Sequence, residues 1–111
     1  MDTSTNTMSK PTVQLPFSEL IKSGKPVLVE FFATWCAPCK ALAPTLKHLA
    51  DRTGGKLNIV KVDIDRARDV ATKFQVQSVP TMILFKDGKV VWRQSGVQPL
   101  GKLEAQVKPY L

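Results

Sequence analysis

The sequence predicts a single α/β domain in which helices cover both faces of a mixed β-sheet. Its 111 residues suffice for one buried core. Short apolar runs alternate with amphipathic helical patterns in the order β-α-β-α-β-α-β-β-α. One run leads directly into a helical pattern that begins at a cysteine, and an Asp-Gly pair joins the last two runs as in a hairpin. Helical crossovers favour parallel strands around the central helices, whereas the hairpin adds an antiparallel pair.

The N-terminal residues predict a flexible arm over 1–11, so that the folded domain covers 12–111. The arm is rich in Thr, Ser and Asn and contains no apolar stretch, so we expect no secretory signal and a cytoplasmic location. Thr12 to Leu15 could form a short edge strand. Pro16 to Lys22 predicts a short helix with proline at its start, ended by Ser23-Gly24.

The next two segments form the predicted centre of the domain. Val27 to Ala33 is short and rich in Val and Phe, which is typical of a strand buried on both faces. A helix is predicted from Cys36 to about Thr53, with a kink at Pro44 and a stop at Gly54-Gly55. The residues expected on its apolar face are Cys39, Leu42, Ala43, Leu46, Leu49 and Ala50.

The second half of the chain predicts three more strands and two helices. Leu57 to Val62 alternates apolar and polar residues, and Asp65 to Phe74 reads as a short helix with Asp65 as its N-cap. Asp87-Gly88 predicts the hairpin turn, and Gly96 a bulge or bend. The remaining expectations are a buried strand side formed by Leu57, Ile59 and Val62, strands over Thr81 to Lys86 and Lys89 to Gln94, and a final helix over Pro99 to Tyr110 carrying Leu100, Leu103 and Val107.

The composition excludes several classes of function. The formal net charge is +7, but the lysines and arginines are scattered, so we expect a solvated basic surface and no nucleic-acid site. A preference for acidic partners is the alternative interpretation. No apolar run approaches the roughly 20 residues of a membrane helix, so no membrane partner is expected. Two cysteines and His48 are too few for a four-ligand zinc site, so no metal is expected.

The two cysteines predict reversible dithiol–disulfide chemistry. Cys36 falls at a helix N-terminus, where free N–H groups and the helix dipole stabilise a thiolate, the form that attacks disulfides. Cys39 lies about one helical turn further on, close enough to form a small disulfide with Cys36. Pro38 has no N–H to lose in the first turn and stiffens the loop between the sulfurs.

Five segments in a fixed order give the chain a specific resemblance. They are Val27 to Ala33, Trp35 to Lys40, Val60 to Asp63, Val79 to Thr81 and Phe85 to Lys89. Through them the chain resembles the thioredoxin family over about Thr12 to Leu111. The resemblance implies the thioredoxin fold, with a central mixed five-stranded sheet and about four helices on its two faces. It also implies a monomeric protein-disulfide reductase, acting on disulfide-containing proteins without a bound cofactor and receiving electrons from NADPH through a thioredoxin reductase.

The resemblance assigns roles to three residues. Cys36 is expected to attack a substrate disulfide, and Cys39 to resolve the mixed disulfide that results. Pro80 corresponds to the family's cis-proline, which faces the cysteines and presents backbone to a substrate strand. From the residues alone, Pro80 could equally be a trans proline that opens a strand.

Glu30 lies within the apolar run, where an ionised carboxylate is costly unless it is paired. It could be an edge residue turned to solvent, or it could form an ion pair with Lys61. As a buried acid with a raised pKa, it could instead relay the proton of Cys39. The resemblance favours the relay, although the family most often has Asp here. Two further departures are Ala37, where Gly is usual, and Phe32, where many relatives have Trp.

A small apolar surface is expected around the exposed sulfur of Cys36, suited to extended segments of partner proteins. It would consist of Trp35, Ala37, Pro38, Val79, Pro80, Gly96 and Val97. Trp92, on the hairpin, falls outside this group and is expected to be structural.

Two other functions remain open on the sequence alone. A dedicated extracytoplasmic thiol reductant would share the fold and often differs at the position of Ala37. The lack of a signal segment, and of an insertion after the central helix, argues against it. A redox-dependent binding module of a partner enzyme is the other alternative. Catalysis that requires both Cys36 and Cys39 would favour the reductase, whereas partner binding that survives their replacement would favour the module.

Overall fold

A computed structural model describes residues 16–111 and gives four strands, four α-helices and a final 3₁₀ turn within that range. The predicted arm over 1–11 and the predicted edge strand from Thr12 to Leu15 lie outside the described residues. In chain order, the elements are α1 (Phe17–Leu20), β1 (Val27–Phe32), α2 (Ala37–Thr53), β2 (Asn58–Asp63), α3 (Arg68–Lys73), β3 (Thr81–Lys86), β4 (Lys89–Ser95), α4 (Leu100–Val107) and the 3₁₀ turn (Lys108–Tyr110).

The four strands form one mixed sheet in the order β2-β1-β3-β4. β1 pairs in parallel with β2 and antiparallel with β3, and β3 pairs antiparallel with β4. The two central strands are buried along almost their whole length, which agrees with their nearly continuous apolar sequences. The predicted α/β class and mixed sheet are confirmed. Residues 16–111 contain four strands where five were expected, because the predicted strand from Thr12 to Leu15 lies outside that range.

The direction of β3 differs from the expectation of parallel strands around the central helices. Asp63 at the end of β2 pairs with Phe32, and Thr81 at the start of β3 pairs with the neighbouring Phe31. The chain therefore enters β3 at the end of the sheet where it left β2. With six residues, α3 advances only about 9 Å, whereas a six-residue strand spans about 20 Å. Helix α3 is therefore too short to carry the chain back along the sheet, as a parallel strand would require.

Alternate side chains of the central strands enter two separate cores. Leu28 of β1 and Leu84 of β3 pack with α2 and α4 on one face. Val29 and Phe85 pack on the other face with Phe17 and residues around α3. Both faces are covered, so the strands need apolar residues at successive positions. The prediction that Ile59 and Val62 share one buried side of β2 is wrong for this reason. Ile59 packs on the α2 face and Val62 on the opposite face.

Helix α2 has the predicted extent, with a different apolar face. Cys36 is its N-cap, and Gly54 ends it in the left-handed conformation with φ of 57°. Its buried residues are Cys39, Leu42, Leu46, Leu49 and Thr53, whereas Ala50 is exposed and Ala43 is half-buried. The leucines set the centre of the buried face because they fill more of the core, which moves the small alanines to its edge.

Two smaller predictions concern turns. The Asp87-Gly88 hairpin is confirmed, with φ of 53° and 81° at the two residues, as a type I′ turn requires. Gly96 lies in a bend just after β4, with φ of 87°. The register shift of the β3–β4 pair falls instead between Leu84 and Phe85.

Candidate active site

Cys36 and Cys39 form a disulfide at the N-terminus of α2, with their Cα atoms 5.3 Å apart. Cys36 has the extended backbone of an N-cap residue, and Ala37-Pro38 begins the helix. The Cys39 N–H donates a hydrogen bond of 3.1 Å to Cys36 Sγ. A free backbone donor of the first turn therefore points at this sulfur, as expected at a site that stabilises a thiolate.

The cysteines are less exposed than the sequence suggested. Cys36 retains 3% of its surface and Cys39 retains 5%. Both pack with Ala33, against the half-buried side chains of Ile64 and Val79. The expectation of an exposed Cys36 sulfur is therefore wrong, because the residue packs within this cluster and keeps little accessible surface. Its chain neighbours are open: Trp35 is 68% exposed, and Ala37 and Pro38 are also exposed.

The loop before β3 closes another side of the cysteine pair. The Val79–Pro80 peptide bond is cis, as the resemblance implied, and Pro80 is buried. Val79 contacts the cysteine cluster, which places this loop beside the disulfide. The Gly96 N–H donates a hydrogen bond of 2.8 Å to the Pro80 carbonyl oxygen, so the bend after β4 is tied to the same loop. Next to it, Val97 is 47% exposed and leaves an apolar side chain open to a partner.

Hydrogen bonds of Thr81 and Ser95 hold the start of β3 beside this loop, and no sequence pattern predicted them. The Thr81 hydroxyl donates a 2.7 Å hydrogen bond to the Ser78 carbonyl oxygen and lies 3.0 Å from the Ser95 hydroxyl. The two residues are opposite each other in the β3–β4 pair. Cross-strand hydroxyl pairs of this kind depend on the register of the two strands.

Asp65 forms a hydrogen bond with the Trp35 side chain, a contact that no sequence pattern predicted. The Trp35 indole N–H donates a 2.9 Å hydrogen bond to the Asp65 carboxylate. The Asp65 N–H in turn donates to Asp63 Oδ1 at 2.9 Å. Asp65 is therefore not the N-cap of α3, which begins at Arg68 after Ala67. From its sequence position just before a helix, Asp65 could be an N-cap or a hydrogen-bond acceptor for a distant side chain. Only the position of Trp35 in the fold distinguishes the two roles.

Glu30 is fully buried, and neither of its carboxyl oxygens has a hydrogen-bond partner among the described residues. Burial raises the pKa of Glu30 to about 7, and the charge of Lys61 acts in the opposite direction. The interpretation as a solvent-exposed edge residue is therefore wrong. Glu30 and Lys61 are register partners in β1 and β2, but the residues 16–111 contain no ion pair between them.

A groove of about 490 Å³ is bordered by both Glu30 and Cys39. Cys39 borders it from α2, and Lys61 from β2. The Lys61 ammonium also lies 5.5 Å from the centre of the Phe32 ring. The full lining is Glu30, Phe32, Ala33, Thr34, Cys39, Lys40, Ala43 and Lys61. Trp92 is remote from this group and packs against the core on the α2 face, as expected of a structural residue.

None of the helices among residues 16–111 has the length and apolar character needed to span a bilayer.

Comparison with known proteins supports one family. The Thioredoxin family model matches residues 8–109. Thioredoxin of Staphylococcus saprophyticus is 46% identical over 95 residues, covering 86% of this chain and 90% of that protein. The structure of Fasciola hepatica thioredoxin superimposes with a TM-score of 0.76 at 36% identity, over 84% of this chain and 89% of that one.

A third relative links two activities in one polypeptide. The bifunctional thioredoxin reductase/thioredoxin of Mycobacterium leprae is 46% identical over 82 residues, which are 74% of this chain and 18% of that protein. The sequence match, the shared fold and the disulfide at the start of α2 agree with one another. The chain therefore belongs to the thioredoxin family and is a thiol–disulfide oxidoreductase that reduces protein disulfides.

Proposed function

We propose that the chain reduces disulfides of many proteins and that Cys36 is the attacking nucleophile. The observation that carries the proposal is the Cys36–Cys39 disulfide at the N-terminus of α2, with Cys36 as the N-cap. Once the pair is reduced, this position favours a Cys36 thiolate. The thiolate bonds to one sulfur of the substrate disulfide, the substrate S–S bond breaks, and the other substrate sulfur leaves as a thiolate.

Cys39 completes the exchange. Its thiol loses a proton and attacks Cys36 Sγ, the mixed disulfide breaks, and the second substrate sulfur leaves as a thiolate. The substrate has then gained two electrons, and the chain has returned to the Cys36–Cys39 disulfide. The Cα separation of 5.3 Å allows this bond to form within the first turn of α2.

Glu30 takes the proton from Cys39 in this scheme. Its carboxyl group and Cys39 line the same groove, and a carboxyl with a pKa of about 7 can both accept and return a proton near neutral pH. Lys61 lines the groove too and favours the ionised form of Glu30 by its charge. The longer side chain of Glu, in place of the usual Asp, is therefore compatible with a relay.

The substrate segment lies on the surface formed by Trp35, Ala37, Pro38, Val79, Pro80, Gly96 and Val97. Exposure of Trp35, Ala37, Pro38 and Val97 supports this assignment, as does the bond that ties Gly96 to Pro80. Backbone groups beside Pro80 can pair with an extended segment, which explains tolerance of many sequences.

The electrons come from NADPH through a separate thioredoxin reductase. The reductase/thioredoxin of Mycobacterium leprae supports this pairing, because it joins the two activities in one chain. A cytoplasmic location fits such a supply, since thiols are kept reduced in that compartment. The Cys36–Cys39 pair itself carries the two electrons of the exchange, so the proposed enzyme, a monomer, needs no bound cofactor for this step.

The test is a coupled assay in which NADPH oxidation is followed with thioredoxin reductase, the full chain and insulin as the disulfide probe. We expect turnover with the wild type and its loss in both Cys36→Ser and Cys39→Ser. Cys36→Ser should form no mixed disulfide, whereas Cys39→Ser should accumulate one. Turnover that survives either replacement would contradict the proposal.

A further inference from the structure

Two lysines from different elements border the groove beside Cys39. Lys40 directly follows Cys39 in the first turn of α2, and Lys61 lies on β2 opposite Glu30. Both residues are exposed, and both line the groove. The Phe32 ring lies below the Lys61 ammonium at 5.5 Å and restricts where that group can point.

Neither lysine forms a salt bridge within the part of the chain that the structure describes. Neither ammonium has a carboxylate oxygen within 4.0 Å there. The acids on the Trp35 side of the site already have partners. Asp65 accepts the indole N–H, and Asp63 accepts the Asp65 N–H and lies 3.9 Å from Arg66. Glu30 is buried at the groove and hydrogen-bonds to neither lysine.

We propose that the groove between Lys40 and Lys61 binds an acidic side chain of the substrate polypeptide, close to the cysteine that exchanges with Cys36. This inference rests on the proposed function, because the groove meets a substrate only while one is held at Cys36. The preferred substrates are protein disulfides with Asp or Glu a few residues from the attacked cysteine, since Lys40 directly follows Cys39 and an extended chain advances about 3.3 Å per residue. Apolar neighbours of that cysteine meet the exposed side chains of Trp35 and Val97.

The expected preference is modest and depends on salt. An exposed ammonium–carboxylate pair changes an equilibrium by about twofold to fivefold. Two lysines that share one carboxylate give less than the product of two pairs, so we expect a preference of about threefold to tenfold. At 0.1 M salt such attraction decays over about 10 Å, and at higher salt it decays over a shorter distance. The rest of the basic surface attracts acidic peptides as well, and the experiment must separate that general effect from the groove.

The experiment measures the second-order rate at which the reduced full chain reduces disulfide peptides. Three peptides differ only in the residue that lies two positions from one cysteine. That residue is Glu, Gln or Lys. A fourth has the composition of the Glu peptide but places its Glu eight residues away, so that its net charge is unchanged. Each rate is measured at low and at high salt, for the wild type, Lys40→Gln and Lys47→Gln. Lys47 is exposed on the same helix and does not line the groove, so its replacement removes the same charge elsewhere.

The wild type and Lys47→Gln should reduce the Glu peptide about threefold to tenfold faster than the Gln peptide at low salt, and the Lys peptide should be slowest. This difference should shrink at high salt, and Lys40→Gln should lose a large part of it. Equal rates for the near and distant Glu peptides, or equal losses in Lys40→Gln and Lys47→Gln, would overturn the inference. If no peptide is reduced at all, it is the proposed reductase function that fails.

Discussion

At the scale of single residues, Glu30 carries a conflict between folding and chemistry. It is the one carboxyl group among residues 16–111 that is buried, and it has no hydrogen-bond partner there. Burying an ionised carboxylate without a partner is costly, and this cost is the reason for its raised pKa. A residue that served folding alone would be apolar at this position, as its β1 neighbours Val29 and Phe31 are.

Replacing Glu30 by Gln should slow the reduction of insulin severalfold without unfolding the protein. Gln has nearly the same shape but cannot accept the proton of Cys39. In the wild type, the release of substrate from the mixed disulfide should accelerate as pH rises through about 7, and Glu30→Gln should lose this dependence. Stopped-flow rates between pH 6 and 9 test it. Glu19→Gln, on exposed Glu19 of α1, is the control, and an identical profile for Glu30→Gln and wild type would remove Glu30 from the mechanism.

Replacing Asp65 by Ala should release the indole of Trp35 and slow insulin reduction by about twofold to tenfold, the effect of one lost hydrogen bond. Trp35 is 68% exposed, so little besides the 2.9 Å bond to Asp65 restricts its ring. Nuclear magnetic resonance of the indole N–H should show faster hydrogen exchange at Trp35, with Trp92 as the internal reference. Asp65→Asn keeps an oxygen acceptor and should restore most of the rate. Asp69→Ala is the control for charge alone, and an equal loss of rate there would contradict the positioning role.

At the scale of elements, α2 supplies the active site at one end and part of the core along its length. Its N-terminus holds Cys36, and its buried leucines fix the helix against the sheet. At its C-terminus, Gly54 adopts a left-handed conformation that residues with a Cβ rarely adopt. Packing of the leucines therefore places the N-terminus of α2, and with it the cysteine pair, at the end of the sheet.

Replacing Gly54 by Ala should lower the free energy of unfolding by about 1 kcal/mol, because a Cβ is strained at its φ of 57°. Among residues 16–111, no atom lies within 4 Å of the added methyl group, so the expected effect comes from backbone strain. Gly101→Ala is the matched control. Gly101 lies within α4 with equally open surroundings, and its replacement should stabilise the protein by roughly 0.5 kcal/mol. Urea unfolding measures both, and equal changes of the same sign would contradict the argument.

Features of these elements that depend on neighbouring residues were predictable from the sequence, whereas features that depend on long-range packing were not. The Asp87-Gly88 turn and the start of α2 depend on neighbouring residues, and both were predicted. The exposure of Ala50 and the direction of β3 depend on which parts of the chain pack together, and both were predicted incorrectly. Asp65 belongs to the second kind, since its partner is 30 residues away. For Glu30, the sequence left burial and exposure open, because an acidic residue within an apolar run is compatible with both.

At the scale of the whole molecule, the ionisation of Glu30 couples global stability to pH. The folded state holds the pKa of Glu30 at about 7, against an ordinary value of 4.5. Below pH 4.5 the carboxyl is protonated in the folded and the unfolded state, so folding does not require an ionised carboxylate to be buried there. As pH rises towards 7, the unfolded chain ionises first and gains stability relative to the folded one. Above about pH 7 both states are ionised, and the loss levels off.

Between pH 4 and 8, the oxidised wild type should therefore lose about 3 kcal/mol of stability relative to Glu30→Gln, the energy that corresponds to the raised pKa. Comparing the two proteins at each pH cancels the other carboxyl groups, which are common to both; those among residues 16–111 are exposed or half-buried. Urea unfolding followed by tryptophan fluorescence measures the difference. A difference that stays constant from pH 4 to 8 would contradict the coupling, whatever its absolute size. A difference that grows with pH and levels off near 8 would show that the protein keeps, at neutral pH, a less stable fold than its core permits, because an acid remains buried beside Cys39.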